Sequence, residues 1–163
     1  MKKKYQRTKL GNLYAINLPN GKFGFGRELQ EGALAVYKHI GDTIEDVPQN
    51  EEYQFIVAVY KKALTCGDWA IVENRPFENE EESWQPPKYI WDMFTGKYRM
   101  YYKGQVTPST KSECQGLEVS AVWESQHVVD RIMGIDKWEK ATPLWRYIRK
   151  HGQEAFDEFT KDS

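Results

Sequence analysis

The residues best able to do chemistry in this 163-residue chain are three histidines, two cysteines and a run of glutamates. His39, His127 and His151 do not pair at i, i+4 spacing. Cys66 and Cys114 have no cysteine or histidine nearby at metal-ligand spacing. No metal and no cofactor is therefore expected. Cys66 and His127 could converge as nucleophile and base, but no G-x-S-x-G elbow or cysteine-protease signature surrounds them. His151 reads as a cation at a helix end, where the dipole favours it. The segment Gly21-Lys22-Phe23-Gly24-Phe25-Gly26 is rich in glycine, yet it lacks the Lys-Ser ending of a phosphate-binding loop. No catalytic residue is assigned, and the chain reads as a non-enzyme.

The carboxylates concentrate at Glu78, Glu80, Glu81 and Glu82, followed by Trp84 and the stiff pair Pro86-Pro87. Side by side, these glutamates repel one another and stay solvated, which does not suit a general acid. A solubilising loop is the plain reading. The functional one is an acidic patch that meets a basic protein surface. Trp84 favours the second, because a tryptophan between charged residues and prolines is poorly explained as core and tryptophan is a usual interface anchor. These five residues form the expected partner-binding site. A second surface, Tyr98, Arg99, Tyr101, Tyr102 and Lys103, mixes stacking rings with cations as single-stranded RNA binders do, but it also fits an ordinary amphipathic strand.

Short elements must position these groups. Leu13–Leu18 and Lys22–Leu29 read as a hairpin around Asn20-Gly21. By the period of two, Phe23 and Phe25 share a face, and Gly24 and Gly26 lie on the other, open to close approach. Residues 33–38, 53–60 and 69–73 read as further strands, with 53–60 apolar enough for burial on both faces. Residues 88–92 and 97–103 suggest a second hairpin. Thr110 with Glu113 matches a capping box, and Gly116 ends that turn. Val119, Val122, Trp123, Val129, Ile132 and Met133 suit one face of a helix, with a strand through 119–123 competing. Thr142-Pro143 starts a last helix. The expected fold is α+β in a single domain: a basic tail over 1–10, a mainly β part over 11–106 and a mainly helical part over 107–163. The sheet is small, antiparallel and barrel-like, of SH3 type by first choice, with an open sheet close behind.

Composition narrows the partners. Aromatic residues make up 14 % of the chain, which argues against disorder. A formal net charge of −1 with mixed signs provides no global field toward nucleic acid or anionic lipid. No apolar run follows the lysines at the start, because Lys9, Asn12, Asn17 and Pro19 interrupt it. No transmembrane run is visible either. Two thiols that form no CxxC pair, in a chain of this size, fit a reducing cytoplasm, and the chain is expected there and away from membranes.

The stretch from Gly11 to Arg27, GNLYAINLPNGKFGFGR, resembles the opening of the immunity protein 26 family: a strand ending near "AIPL", a glycine turn, then an aromatic-glycine strand. Asn17 stands where that family usually has proline. Gly67-Asp68-Trp69-Ala70-Ile71-Val72, the Pro86-Pro87-Lys88-Tyr89 segment, Ala121-Val122-Trp123 and His127-Val128-Val129-Asp130-Arg131 resemble it too, so the likeness runs over about residues 11–135. The resemblance implies an α+β or mainly β protein of a bacterial polymorphic-toxin system. Such a protein binds and neutralises a cognate toxin without catalysis. It carries over no catalytic or contact residues. The alternative reading is a small β-barrel module that binds nucleic acid.

Overall fold

A computed structural model describes residues 4–135. Nine strands and three short helices are present among them: β1 (Asn12–Asn17), β2 (Phe23–Glu28), β3 (Ala33–Tyr37), β4 (Tyr53–Val59), α1 (Lys61–Thr65), β5 (Ala70–Asn74), β6 (Lys88–Trp91), β7 (Tyr98–Tyr102), β8 (Gln105–Ser109), α2 (Lys111–Cys114), β9 (Val122–Trp123) and α3 (Ser125–Ile132). The fold is α+β. The described residues form two compact units, one of residues up to Gln85 with Val122–Gly134, the other built on Pro86–Ala121.

The first unit holds a six-stranded sheet in the order β5-β1-β2-β3-β4-β9, antiparallel except for the parallel β4–β9 pair. Its end strands β5 and β9 do not pair with each other, so the sheet does not close into a true barrel. The β1–β2 hairpin turns where expected: Gly21 takes φ +80, and Asn20 Oδ1 accepts the Lys22 N–H at 3.0 Å. Leu13, Ala15 and Phe25 lie on one face with Arg27, and Tyr37 joins their apolar cluster. Tyr14, Ile16, Gly24 and Gly26 lie on the other. There the glycines admit close neighbours. A Cβ on Gly26 would fall 2.6 Å from Leu34 Cγ, and one on Gly24 would fall 3.1 Å from Ile132 Cδ1 of α3. All five residues of β3 are buried. In β4 burial alternates instead: Phe55, Val57 and Val59 are buried, while Gln54 is exposed and Ile56 and Ala58 are half-buried. The expectation of a strand buried on both faces is therefore corrected.

The helix expected through 119–133 divides in two. Val122 and Trp123 pair in parallel with Ala58 and Val59, and only Ser125–Ile132 is helical. Trp123 is buried, with its ring stacked 6.5 Å from that of Phe55, and Tyr60 donates its N–H to the Trp123 carbonyl. Apolar spacings of three, four and seven are met equally well by a short strand followed by a helix that buries Val128 and Val129.

The second unit is the antiparallel sheet β6-β7-β8. The expected 88–103 hairpin is present, and β8 extends it around a two-residue turn in which Lys103 and Gly104 both take positive φ. Its edges are guarded. Tyr89 exchanges backbone hydrogen bonds with Glu118 and Ser120 along β6, and Pro108 removes an N–H from β8. The Thr110 side chain accepts the Glu113 N–H at 3.1 Å, as the capping pattern predicts. Glu113 turns its carboxylate to the Ser109 hydroxyl. The helix expected after Thr142 lies outside the described residues.

Candidate functional site

The acidic segment is strapped across the first unit, and Arg27 is the buckle. Arg27 is only 7 % exposed, in line with Phe25 and opposite Leu13. Its guanidinium donates to the Arg75 carbonyl from Nε (3.0 Å) and Nη2 (2.6 Å), and to the Pro76 carbonyl (3.0 Å). It also stacks 3.8 Å from the centre of the Phe77 ring. The planar fork thereby fixes three consecutive residues leaving β5. Phe77 packs against Leu29, Ala33 and Ala35, where the small alanines of β3 leave room for it.

A carboxylate balances the two arginines. Glu51 accepts hydrogen bonds from the hydroxyls of Tyr37 (2.5 Å) and Tyr53 (2.8 Å) and from Arg75 Nη1 (3.0 Å), and lies 3.5 Å from Arg27 Nη1. Burial pushes its pKa up, but these donors and cations outweigh burial and hold it below the usual carboxylate value. Tyr37 is pushed the other way, by burial first and then by the carboxylate it serves.

Beyond Phe77 the chain turns outward. Glu80–Ser83 forms one 3-10 turn with the Asn79 side chain as its cap, accepting the Glu82 N–H at 3.1 Å. The Ser83 hydroxyl donates to the Glu80 carbonyl (2.5 Å) and accepts from Gln30 Nε2 (3.3 Å), which ties the turn to the β2–β3 connection. Glu78, Glu80, Glu81 and Glu82 are all exposed, and Trp84 is half-buried. Of the five expected residues, Glu80, Glu81 and Glu82 sit on this turn, Glu78 precedes its cap and Trp84 follows its last residue. A fifth carboxylate, Glu31, is tied to this segment by the amide of Gln85 (3.4 Å). Glu31 takes φ +60 in the β2–β3 turn, and no local pattern connects it to residues 50 positions away. The Arg27–Glu51 network was also missed. Its signal was Arg27 itself, a cation two residues beyond Phe25 on the same strand face.

Other chemical candidates stay apart. Cys66, at the end of α1, donates to the Asp68 carboxylate (3.3 Å), while His127 sets its ring edge-on to Trp123. Neither is a hydrogen-bond partner of the other. Among the described residues no group of three or more His, Cys, Asp or Glu is placed to hold a metal ion, and His151 lies outside them. On β7, Tyr98 and Tyr102 lie on one face and Arg99 and Tyr101 on the other, and Lys103 sets its ammonium 5.4 Å from the centre of the Tyr102 ring, so the residues of the possible RNA surface do not share one face.

The family model of immunity protein 26 matches residues 9–99, from the approach to β1 through the start of β7. The chain belongs to the immunity protein 26 family. No curated protein and no solved structure matches it. The match takes in the hairpin that opened the resemblance, the Arg27–Glu51 network and the whole acidic turn. The likeness noted at Ala121–Trp123 and His127–Arg131 lies beyond it. Among the described residues, no helix of this immunity-family chain is long and apolar enough to cross a membrane.

Proposed function

We propose that this immunity-family chain neutralises a cognate toxin stoichiometrically, in the cytoplasm and without catalysis, by laying its acidic turn against a basic surface of that toxin. The observation that carries this reading is the ordered turn itself: three exposed glutamates, with Glu78 just before the cap, on a base locked by a buried arginine. A solubilising loop needs no such lock, whereas a binding surface gains from being ordered before it meets its partner. The charge balance supports the same direction. Over residues 4–85 and 122–134, fifteen acidic side chains face ten basic ones, although the whole chain is near neutrality. Toxins that act on nucleic acid need basic surfaces to hold phosphate, and carboxylates can occlude those surfaces.

The glutamates would speed encounter more than they deepen affinity. Trp84, half-buried beside them, would add a desolvated anchor of about 2 kcal/mol if it closes against the partner. The test is the triple variant Glu80→Lys, Glu81→Lys and Glu82→Lys, measured against the toxin encoded next to this gene. Association at low salt should slow by at least about tenfold, with the gap narrowing as salt is added, and the fold unchanged. Unaltered association would leave the turn as solvent-facing surface only.

A further inference from the structure

The second unit presents a knob and a hole. The knob is Phe94, 89 % exposed at the tip of the β6–β7 hairpin. The tip is ordered. The Asp92 carboxylate accepts the N–H groups of Phe94 (2.8 Å) and Thr95 (3.3 Å), Gly96 donates to the Asp92 carbonyl (2.7 Å), and Asp92 donates to the Lys97 carbonyl (2.9 Å). Gly96 closes the turn at φ +72. A large apolar ring held in water by a rigid turn gains nothing from packing within its own chain. It is preorganised as an anchor for something else.

The hole is an open cleft of about 560 Å³. Tyr89, Trp91 and Tyr98 form one wall, all on the same face of β6 and β7. Cys114, Leu117 and Lys111 belong to the opposite wall, from α2 and its exit. The cleft falls in the size range that accommodates whole small ligands, so a phenyl ring enters with room to spare.

We infer that the two are halves of one contact: Phe94 of one copy enters the aromatic cleft of a second copy, which returns its own Phe94. A phenyl ring meeting three aromatic rings suits edge and offset-stacked contacts. Asp92 at the root of the knob complements Lys111 at the hole. One unit carries both parts, so a two-fold axis can seat both knobs at once, and the inferred assembly is that closed pair and not an open head-to-tail chain. Two inserted rings make a small interface, so the dimer is weak, with a Kd on the order of 10–100 µM.

Sedimentation equilibrium of the full chain, from about 1 to about 500 µM, tests this. The wild type should dimerise. Phe94→Ser and Leu117→Arg should each raise Kd at least about tenfold. Phe94 is too exposed for its loss to unfold the chain, and circular dichroism checks both variants. An equimolar mixture of the two variants should recover a heterodimer, since one intact knob still faces one intact hole. A wild type that stays monomeric throughout overturns the inference. So does a Phe94→Ser protein that dimerises unchanged, because the cleft would then serve another occupant.

Discussion

Replacing Arg27 by methionine should cost the protein about 3 kcal/mol, although methionine fills similar space. The guanidinium is buried and makes three short bonds to two backbone carbonyls, which would lose their donor. A buried acceptor left unsatisfied costs about 1–3 kcal/mol, and since Pro76 is exposed and can be rehydrated, the half-buried Arg75 carbonyl carries most of that loss. Stacking on Phe77 adds about 0.5–2 kcal/mol. Removing one partner of a buried ion pair can cost about 3–5 kcal/mol, but that figure is too large here. Glu51 keeps Arg75 at 3.0 Å and both tyrosine hydroxyls, and its side chain is 41 % exposed. The carbonyls therefore dominate. Arg27→Lys keeps the charge but not the fork, and should recover only about half the loss. Urea denaturation followed by tryptophan fluorescence and far-UV dichroism measures both variants, and the melting temperature of the methionine variant should fall by about 10 °C. A loss below about 1 kcal/mol for Arg27→Met would refute the view of this residue as the buckle of the acidic strap.

Further outcomes follow from other parts of the first unit. Glu28 is buried, and burial raises its pKa despite the hydrogen bonds it accepts from Tyr14 (2.6 Å) and from the Lys9 N–H. A raised carboxyl favours the protonated fold, so its contribution is fullest below the unfolded pKa and is lost as pH rises through the folded one. Glu28→Gln should thus be more stable than wild type at neutral pH, with the gap closing as pH falls through the carboxyl range; a pH-independent gap in urea midpoints contradicts this. Glu51 behaves oppositely: its depressed pKa supplies stability above the unfolded value that is lost as pH falls through the folded one. Glu51→Gln should therefore flatten the acid limb of the melting-temperature profile, and an unchanged limb argues against the network. Gly26→Ala should destabilise by about 2 kcal/mol, since its Cβ would overlap the fully buried Leu34, and equal urea midpoints would show that Leu34 can yield. Cys66→Ser and His127→Gln should still protect cells from the toxin; loss of protection by a folded variant that still binds would point to catalysis.

Local signals were enough for much of this protein. Asn20-Gly21 determined the first hairpin: Gly21 takes the turn's positive φ, and the Asn20 side chain accepts the Lys22 N–H. Period-two alternation determined that Gly24 and Gly26 face away from Phe23 and Phe25, and Thr110 with Glu113 marked a helix start. Each is a short-range effect, written within a few residues. The exposure of Glu78, Glu80, Glu81 and Glu82 was legible for the same reason, since adjacent like charges stay in water. Whether Val119–Met133 is a helix or a strand and a helix was not written locally, because the same apolar spacing suits both: in the structure Trp123, Val128 and Val129 are buried while Val122 is exposed. The neighbouring edge of β4 decided it by offering Val122 and Trp123 hydrogen-bond partners more than sixty residues away in sequence. The same holds for Arg27. Its place in the β2 alternation was visible, but the carbonyls of Arg75 and Pro76 that satisfy it come from 48 and 49 residues along the chain. A buried charge is stable only where partners meet it, and those partners are assembled by the sheet, not by the sequence around the charge.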